Sequence, residues 1–221
     1  MLENYKPIEV LYMSALKSLL GVRKQTPNQV VLAECGALEM KELVRKYQKN
    51  FIDTKLSDPE EPLTKVYNLC QQNDTTAFRC LQRARSYVFD ATERRAESMR
   101  TNTKTKTKTY MSINPSLSVH DMYTSTDKYV PDYRRTEMTR FRVGSHRLRI
   151  ETGRWTRTPP ELRLCSCGLN TVQDETHVVF HCLYTEELRV KYNVGNDKPL
   201  HEVLNDFNSI DFVYEIMKTF K

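Results

Sequence analysis

The sequence predicts a mainly α-helical protein, a helical bundle followed by a smaller unit of α or α+β character. Three observations lead there. Apolar residues recur at steps of three and four through the first hundred residues. Cysteines and histidines crowd into positions 165–182, and arginines concentrate just before them. Hydrophobic residues make up 39 % and charged residues 28 % of the 221-residue chain, slightly polar for a globular protein yet far from a disordered composition.

The helices follow in order. Ile8, Leu11, Tyr12, Ala15, Leu19 and Val22 mark one face of a first helix that Gly21 should stop. Thr26 and Pro27 read as the cap and first residue of a short second helix through Val30, Val31 and Glu34 to a break at Gly36. Met40, Leu43, Val44, Tyr47 and Phe51 keep helical spacing up to the polar stretch from Asp53 to Pro62. A fourth helix carries Leu63, Val66, Tyr67 and Cys70. A fifth, capped by Asp74 or Thr75, carries Phe78, Leu81, Ala84 and Val88. The tract Thr101 to Thr109 (TNTKTKTKT) would expose a Thr face and a Lys face as a strand, neither worth burying, and reads as a solvated linker.

Past Tyr133, Met138 and Phe141 lie three apart on a short basic helix that Gly144 should end. His146 to Thr152 alternates Arg147, Arg149 and Glu151 with Leu148 and Ile150, which suits a half-buried extended segment. Val178, Val179, Leu183 and Leu188 suggest a helix. Leu200, Val203, Leu204 and Phe207, then Phe212, Ile216 and Phe220, suggest two more. The expected organisation is therefore residues 1–98 as the bundle, 99–130 as the Thr/Lys-rich linker and 131–221 as an arginine-rich unit.

No apolar run approaches the roughly eighteen residues of a membrane span, and MLENYKPIEV lacks the basic and then apolar regions of a signal peptide. An intracellular protein of nucleus or cytoplasm, without a membrane partner, is expected. Cys35, Cys70 and Cys80 are scattered through helix-like sequence, so reduced thiols and metal ligands are expected in place of disulfides.

The sharpest constellation is Cys165-Ser166-Cys167, then His177, then Cys182. Three thiols and an imidazole form the donor set of a closed tetrahedral zinc site, with no open position for water. His181 is the alternative fourth ligand: it shares a helical face with His177, whereas Cys182 would stand about 140° away on a regular helix. Buried free cysteines are the metal-free alternative. A structural zinc supplies roughly 10–16 kcal/mol in small fingers, more than the few kcal/mol expected from the core of so small a unit. A zinc-stabilised unit follows, with Zn as the expected cofactor.

Residues 134–163 hold nine arginines, no lysine and three acids, which accounts for the whole net charge of +6. Guanidinium forks onto phosphate and stacks on bases better than ammonium does. Arg134, Arg135, Arg140, Arg142, Arg147, Arg149, Arg154 and Arg157 are the candidate nucleic-acid contacts, with Trp155 and Phe141 among them as candidate stacking rings, although Trp155 taken alone is expected to pack in the core. The alternative is a solvated basic face partly paired to Glu137, Glu151 and Glu161. Enzyme motifs are missing: there is no GxxxxGK loop, no G-x-S-x-G elbow, no H-E-x-x-H and no deaminase-type H-x-E.

The run RTEMTRFRVGSHRLRIETGRWTRTPPELRLCSCGLNTVQDETHVVFHCLYTEELR resembles the carboxy-terminal region of non-LTR (LINE-type) retrotransposon reverse transcriptases. There an R-x-G-S-H-x-L-x-I-E-x-G-R-W stretch precedes a zinc-binding Cys/His motif. The segment ALKSLLGVRKQTPNQVVLAECGALEM is similar to the helical region after the polymerase domain of the same proteins. The resemblance implies that Cys165, Cys167, His177 and Cys182 are metal ligands, that Asp174-Glu175 is the family's acidic pair, and that RNA or DNA is the partner. The gap between Cys167 and His177 is longer than the family's usual spacing, and no YxDD-like aspartate pair is present. The expectation is a nucleic-acid-binding tail without polymerase activity, for which a separate reverse transcriptase chain is a further implied partner. A zinc-stapled protein-interaction module and a non-functional retroelement fragment are the alternatives.

Overall fold

The computed structural model describes residues 6–86, 91–195 and 197–220. Val88, assigned from sequence to the fifth helix, lies outside them. The helices in order are α1 (Lys6–Leu19), α2 (Asn28–Glu34), α3 (Met40–Leu56), α4 (Pro62–Gln72), α5 (Thr76–Arg85), α6 (Ala91–Arg100) and α7 (Thr105–Ile113). The single turn α8 (Asp121–Thr124), α9 (Asp132–Arg142), the single turn α10 (Arg149–Thr152), α11 (Glu186–Tyr192), α12 (Leu200–Asn205) and α13 (Ser209–Thr219) complete the α-helices, and short turns of other helical types lie at Pro160–Leu162, His177–His181 and Leu183–Thr185. The fold is mainly α, as the periodicity predicts. Among the described residues the β pairing is one antiparallel bridge, Leu164 to Val172. No described helix is long and apolar enough to cross a membrane.

The chain forms two compact units, Met1–Tyr12 with Leu38–Arg94, and Met13–Ala37 with Arg95–Lys221. In the first, α3, α4 and α5 pack together. The Thr75 hydroxyl caps α5 by accepting from the Phe78 N–H at 3.2 Å, and the Tyr67 and Phe78 rings meet at 5.3 Å. Ile52 is buried, but Tyr47, Phe51, Val66 and Leu69 are exposed. Helical spacing thus predicted the elements here and not which side chains they bury.

The second unit is built around α9 and α13. Met138 and Phe141 of α9 share a core with Leu148, Val178, Val179, Leu204, Phe212, Val213 and Ile216, all fully buried. Each such side chain contributes about 1.5–3 kcal/mol on leaving water. Gly144 ends α9 as expected. Its φ of +63° is the left-handed conformation that glycine adopts freely, and the Ser145 N–H reaches back to the Arg140 carbonyl at 2.8 Å.

Three expectations are corrected in this unit. The boundaries 1–98, 99–130 and 131–221 are not those of the structure, because residues 13–37 fold with the second half: Val30 and Ala33 of α2 share a core with Met99, Tyr110, Leu117 and Val143. Nor is the Thr/Lys tract a linker. Its later part forms α7, which buries Thr107, Tyr110 and Ile113 at helical spacing, so Tyr110 and Ile113 beyond the repeat set the conformation. Lys106 of α7 donates to the Gly144 carbonyl at 2.7 Å and pairs with Glu151 at 2.5 Å. Residues 146–152 are not extended. Leu148 opens the turn α10, Glu151 is buried with Leu148 three positions earlier, and that spacing overrides the apparent alternation.

Candidate functional site

Residues 163–173 double back on themselves. The Gln173 N–H donates to the Arg163 carbonyl at 2.9 Å and the Cys165 N–H to the Thr171 carbonyl at 2.8 Å. Gly168 (φ +90°) and Asn170 (φ +50°) make the tight turn that carries Cys165 and Cys167 at its tip. On the other side the Asp174 carboxylate caps a helical turn by accepting from the His177 N–H at 2.8 Å. That turn, His177–His181, is π-helical: the Cys182 N–H bonds the His177 carbonyl five residues back, at 2.8 Å. The wider turn reduces the angular offset of a regular helix, and Cys182 comes round to the side of His177. His181 is left exposed.

The ligand atoms of Cys165, Cys167, His177 and Cys182 all lie within 4.8 Å of one another, and all four residues are buried. Cys165 Sγ is 3.7 Å from Cys182 Sγ, and Cys167 Sγ is 3.4 Å from His177 Nε2. This cluster can hold a metal ion. Burial pushes the Cys182 thiol up to about 12, and the adjacent Cys165 and Cys167 add to the shift. Burial also raises the Cys167 thiol, but the Leu169 and Leu183 N–H groups and the neighbouring thiols outweigh it and hold it below the usual range. A cation is what would let all three thiols ionise together.

The cluster is tied to the basic segment by a second layer of bonds. His146 Nε2 lies 2.8 Å from Glu175 Oε1, both groups buried, while the Leu148 N–H points to His146 Nδ1 at 3.3 Å. Gln173 accepts from the Arg149 N–H through its side chain at 2.8 Å and from the Ile150 N–H through its carbonyl at 3.1 Å. The Gln173 amide also donates to Cys165 Sγ at 3.5 Å. Residues 146–150 are therefore clamped to the loop that carries the ligands.

The arginines divide sharply. Arg142 is fully buried, its guanidinium on Glu34, and is corrected from a candidate contact to a core residue. Arg134 pairs with Asp211, Arg135 with Asp132, Arg140 with Glu137 and Arg154 with Glu151. Arg147, Arg149, Arg157 and Trp155 are exposed, although one Arg149 nitrogen donates to the Leu164 carbonyl at 2.8 Å. Sequence reasoning missed Arg23, whose guanidinium lies over the Trp155 ring at 4.2 Å from its centroid. Arg23 precedes Trp155 by more than a hundred residues, and nothing in the local sequence marks it.

Fold and site together define a mainly α-helical protein in which a buried Cys3His cluster able to hold a metal ion is braced against a partly exposed arginine-rich segment. Comparison with protein-family models, curated proteins and solved structures finds no match to this chain.

Proposed function

We propose that the chain is a zinc-stapled nucleic-acid-binding module without polymerase activity of its own, related to the tail of LINE-type reverse transcriptases. The observation that carries this reading is the clamp between the metal cluster and the basic segment. Through His146–Glu175 and Gln173, a filled cluster fixes the backbone from which Arg147 and Arg149 project. Zinc fits the donor set. A tetrahedron with Zn–S of about 2.3 Å and Zn–N of about 2.0–2.1 Å has S–S edges of roughly 3.8 Å and S–N edges of roughly 3.5 Å. Two of the six edges, at 3.7 and 3.4 Å, have these lengths, and all four ligand atoms lie within 4.8 Å of one another. Four protein ligands leave no position for a reacting water, so zinc's part is structural. The partner is RNA or DNA backbone, met by guanidinium forks.

The test is binding of the full zinc-loaded chain to random-sequence oligonucleotides across a salt series. Three exposed arginines, each contributing a slope of about −0.7 on single strands, give roughly a 20-fold loss of affinity between about 50 and 200 mM salt. Replacing Arg147, Arg149 and Arg157 together by Ala should flatten that dependence. Binding unchanged by salt and by the triple substitution would overturn the arginine interface, and no binding even at low salt would instead mark a protein-interaction module.

A further inference from the structure

Arg23, Arg140 and Arg147 line one cleft of about 290 Å³, together with Gly21, Glu137 and His146. Of the residues that line the cleft, Glu137 is the one carboxylate facing these three guanidiniums. Two of them are held in place by bonds that leave donors free. Arg140 Nε donates to the Gly21 carbonyl at 2.7 Å and its Nη1 to Glu137 at 3.0 Å. Arg23 Nη2 donates to the His146 carbonyl at 2.9 Å, while its backbone N–H is fixed on the Ser145 hydroxyl at 2.9 Å. A guanidinium carries five N–H donors, so each keeps several for a ligand. Arg147 makes no hydrogen bond or ion pair with the described residues. The guanidinium of Arg23 is held below its usual range by burial first; Glu151 opposes this, and Arg140 and Arg147 add repulsion. Like charges gathered at a cost in repulsion are what an anion relieves.

Beside the cleft, Arg23 covers one face of Trp155, and the residue is still 64 % exposed. A second cleft shares Glu137, Arg140 and Arg147 with the first and continues past Tyr133, Tyr214 and Lys218. An extended, positively lined track thus runs by a flat aromatic face.

We propose that this cleft seats a backbone phosphate of a single-stranded nucleic acid on Arg23, Arg140 and Arg147, with an adjacent unpaired base stacked on the open face of Trp155. The inference rests on the nucleic-acid reading above and sharpens it to a strand type and a site. A stacking face of this kind serves an unpaired base and not one held inside a duplex. The second cleft gives the strand its onward path, with Lys218 for the next phosphate.

Trp155 is the only tryptophan in the chain, so its emission reports the stack directly. The experiment uses the full zinc-loaded chain at low salt, with a fluorescein-labelled oligo(dT) of about twenty nucleotides and a duplex of equal length as probes. Binding is read by anisotropy and stacking by Trp155 quenching on unlabelled strand. Expected results are tighter binding of the single strand than of the duplex, quenching by the single strand, and a loss of roughly fivefold or more in Trp155→Ala that Trp155→Phe partly restores. Arg147→Ala, a change at an exposed and unpaired side chain that leaves the fold intact, should lower the salt slope by about 0.7. Single-strand binding without quenching, with Trp155→Ala and Arg147→Ala equal to wild type, would overturn the site while leaving the broader reading standing. Failure to bind either probe would overturn both.

Discussion

The Arg142 guanidinium grips the Glu34 carboxylate with two hydrogen bonds, Nε to Oε1 at 2.7 Å and Nη2 to Oε2 at 3.1 Å, and neither side chain is exposed. The pair joins α2 to α9 across 108 residues of sequence. The network extends further: Tyr110 donates to Glu34 at 2.9 Å, and Arg142 Nη1 reaches the Leu204 carbonyl at 2.7 Å and the Asn205 amide oxygen at 2.8 Å. Four helices are thereby pinned through one buried network.

Removing one partner leaves the other charged and buried, which costs about 3–5 kcal/mol. Glu34→Gln and Arg142→Met should each destabilise the second unit by that amount, measured by urea unfolding followed at Trp155. The double variant should lose much less than the sum, because it strands no charge. Additive losses would show that the two groups are not coupled.

Metal loading should depend on Cys182 and not on His181. Native mass spectrometry should show one zinc per chain in wild type and in His181→Ala, and none in Cys165→Ser or Cys182→Ser. Chelation should abolish cooperative unfolding of the second unit, since the buried thiols would then have to be reprotonated in place. A chain that takes up zinc as Cys182→Ser but not as His181→Ala would reverse the ligand assignment.

Gly153 allows a side chain to pass where a methyl group would block it. A Cβ built there would come within 2.7 Å of Arg163 Cδ and Nε. Arg163 is buried and donates twice to the Thr158 carbonyl, at 2.9 and 2.7 Å, and once to the Ile150 carbonyl at 2.5 Å. Gly153→Ala should displace that guanidinium and destabilise by about 1–3 kcal/mol in thermal unfolding. Arg163→Lys, which keeps the charge and loses the fork, should cost a similar amount.

How much of this was legible depended on the distance over which each feature is specified. The Cys/His tetrad was readable because its ligands fall within eighteen residues, and the Gly144 stop is a local signal. The π-helical turn at His177 was not, because it is a distortion that the cluster and its core neighbours impose on an ordinary helical pattern. Arg142 looked like its arginine neighbours until Glu34, Leu204 and Asn205 enclosed it. The Thr/Lys tract misled for the same reason: Thr107 is buried through contacts that no window around residue 107 contains.

His120 supplies a pH dependence whose sign follows from its surroundings. Its Nδ1 accepts from the Met122 N–H at 3.0 Å at the start of α8, and the ring is 3 % exposed. Burial first, then the positive charge of Arg142, lower its pKa from 6.5 to about 4, against the opposing carboxylates of Asp121 and Asp206. Above pH 6.5 the ring is neutral in both folded and unfolded chains, and stability is fully present. As the pH falls toward 4 the unfolded chain takes up the proton first, so stability is lost through that window, by about 2 kcal/mol at pH 5. His120→Asn keeps an acceptor for Met122 and cannot titrate. Zinc loss at low pH affects both proteins alike, so the quantity to read is the difference between their urea midpoints from pH 7.5 to 5. That difference should move in favour of the variant below pH 6.5, and a constant difference would mean that His120 charges as readily in the folded protein as in the unfolded chain.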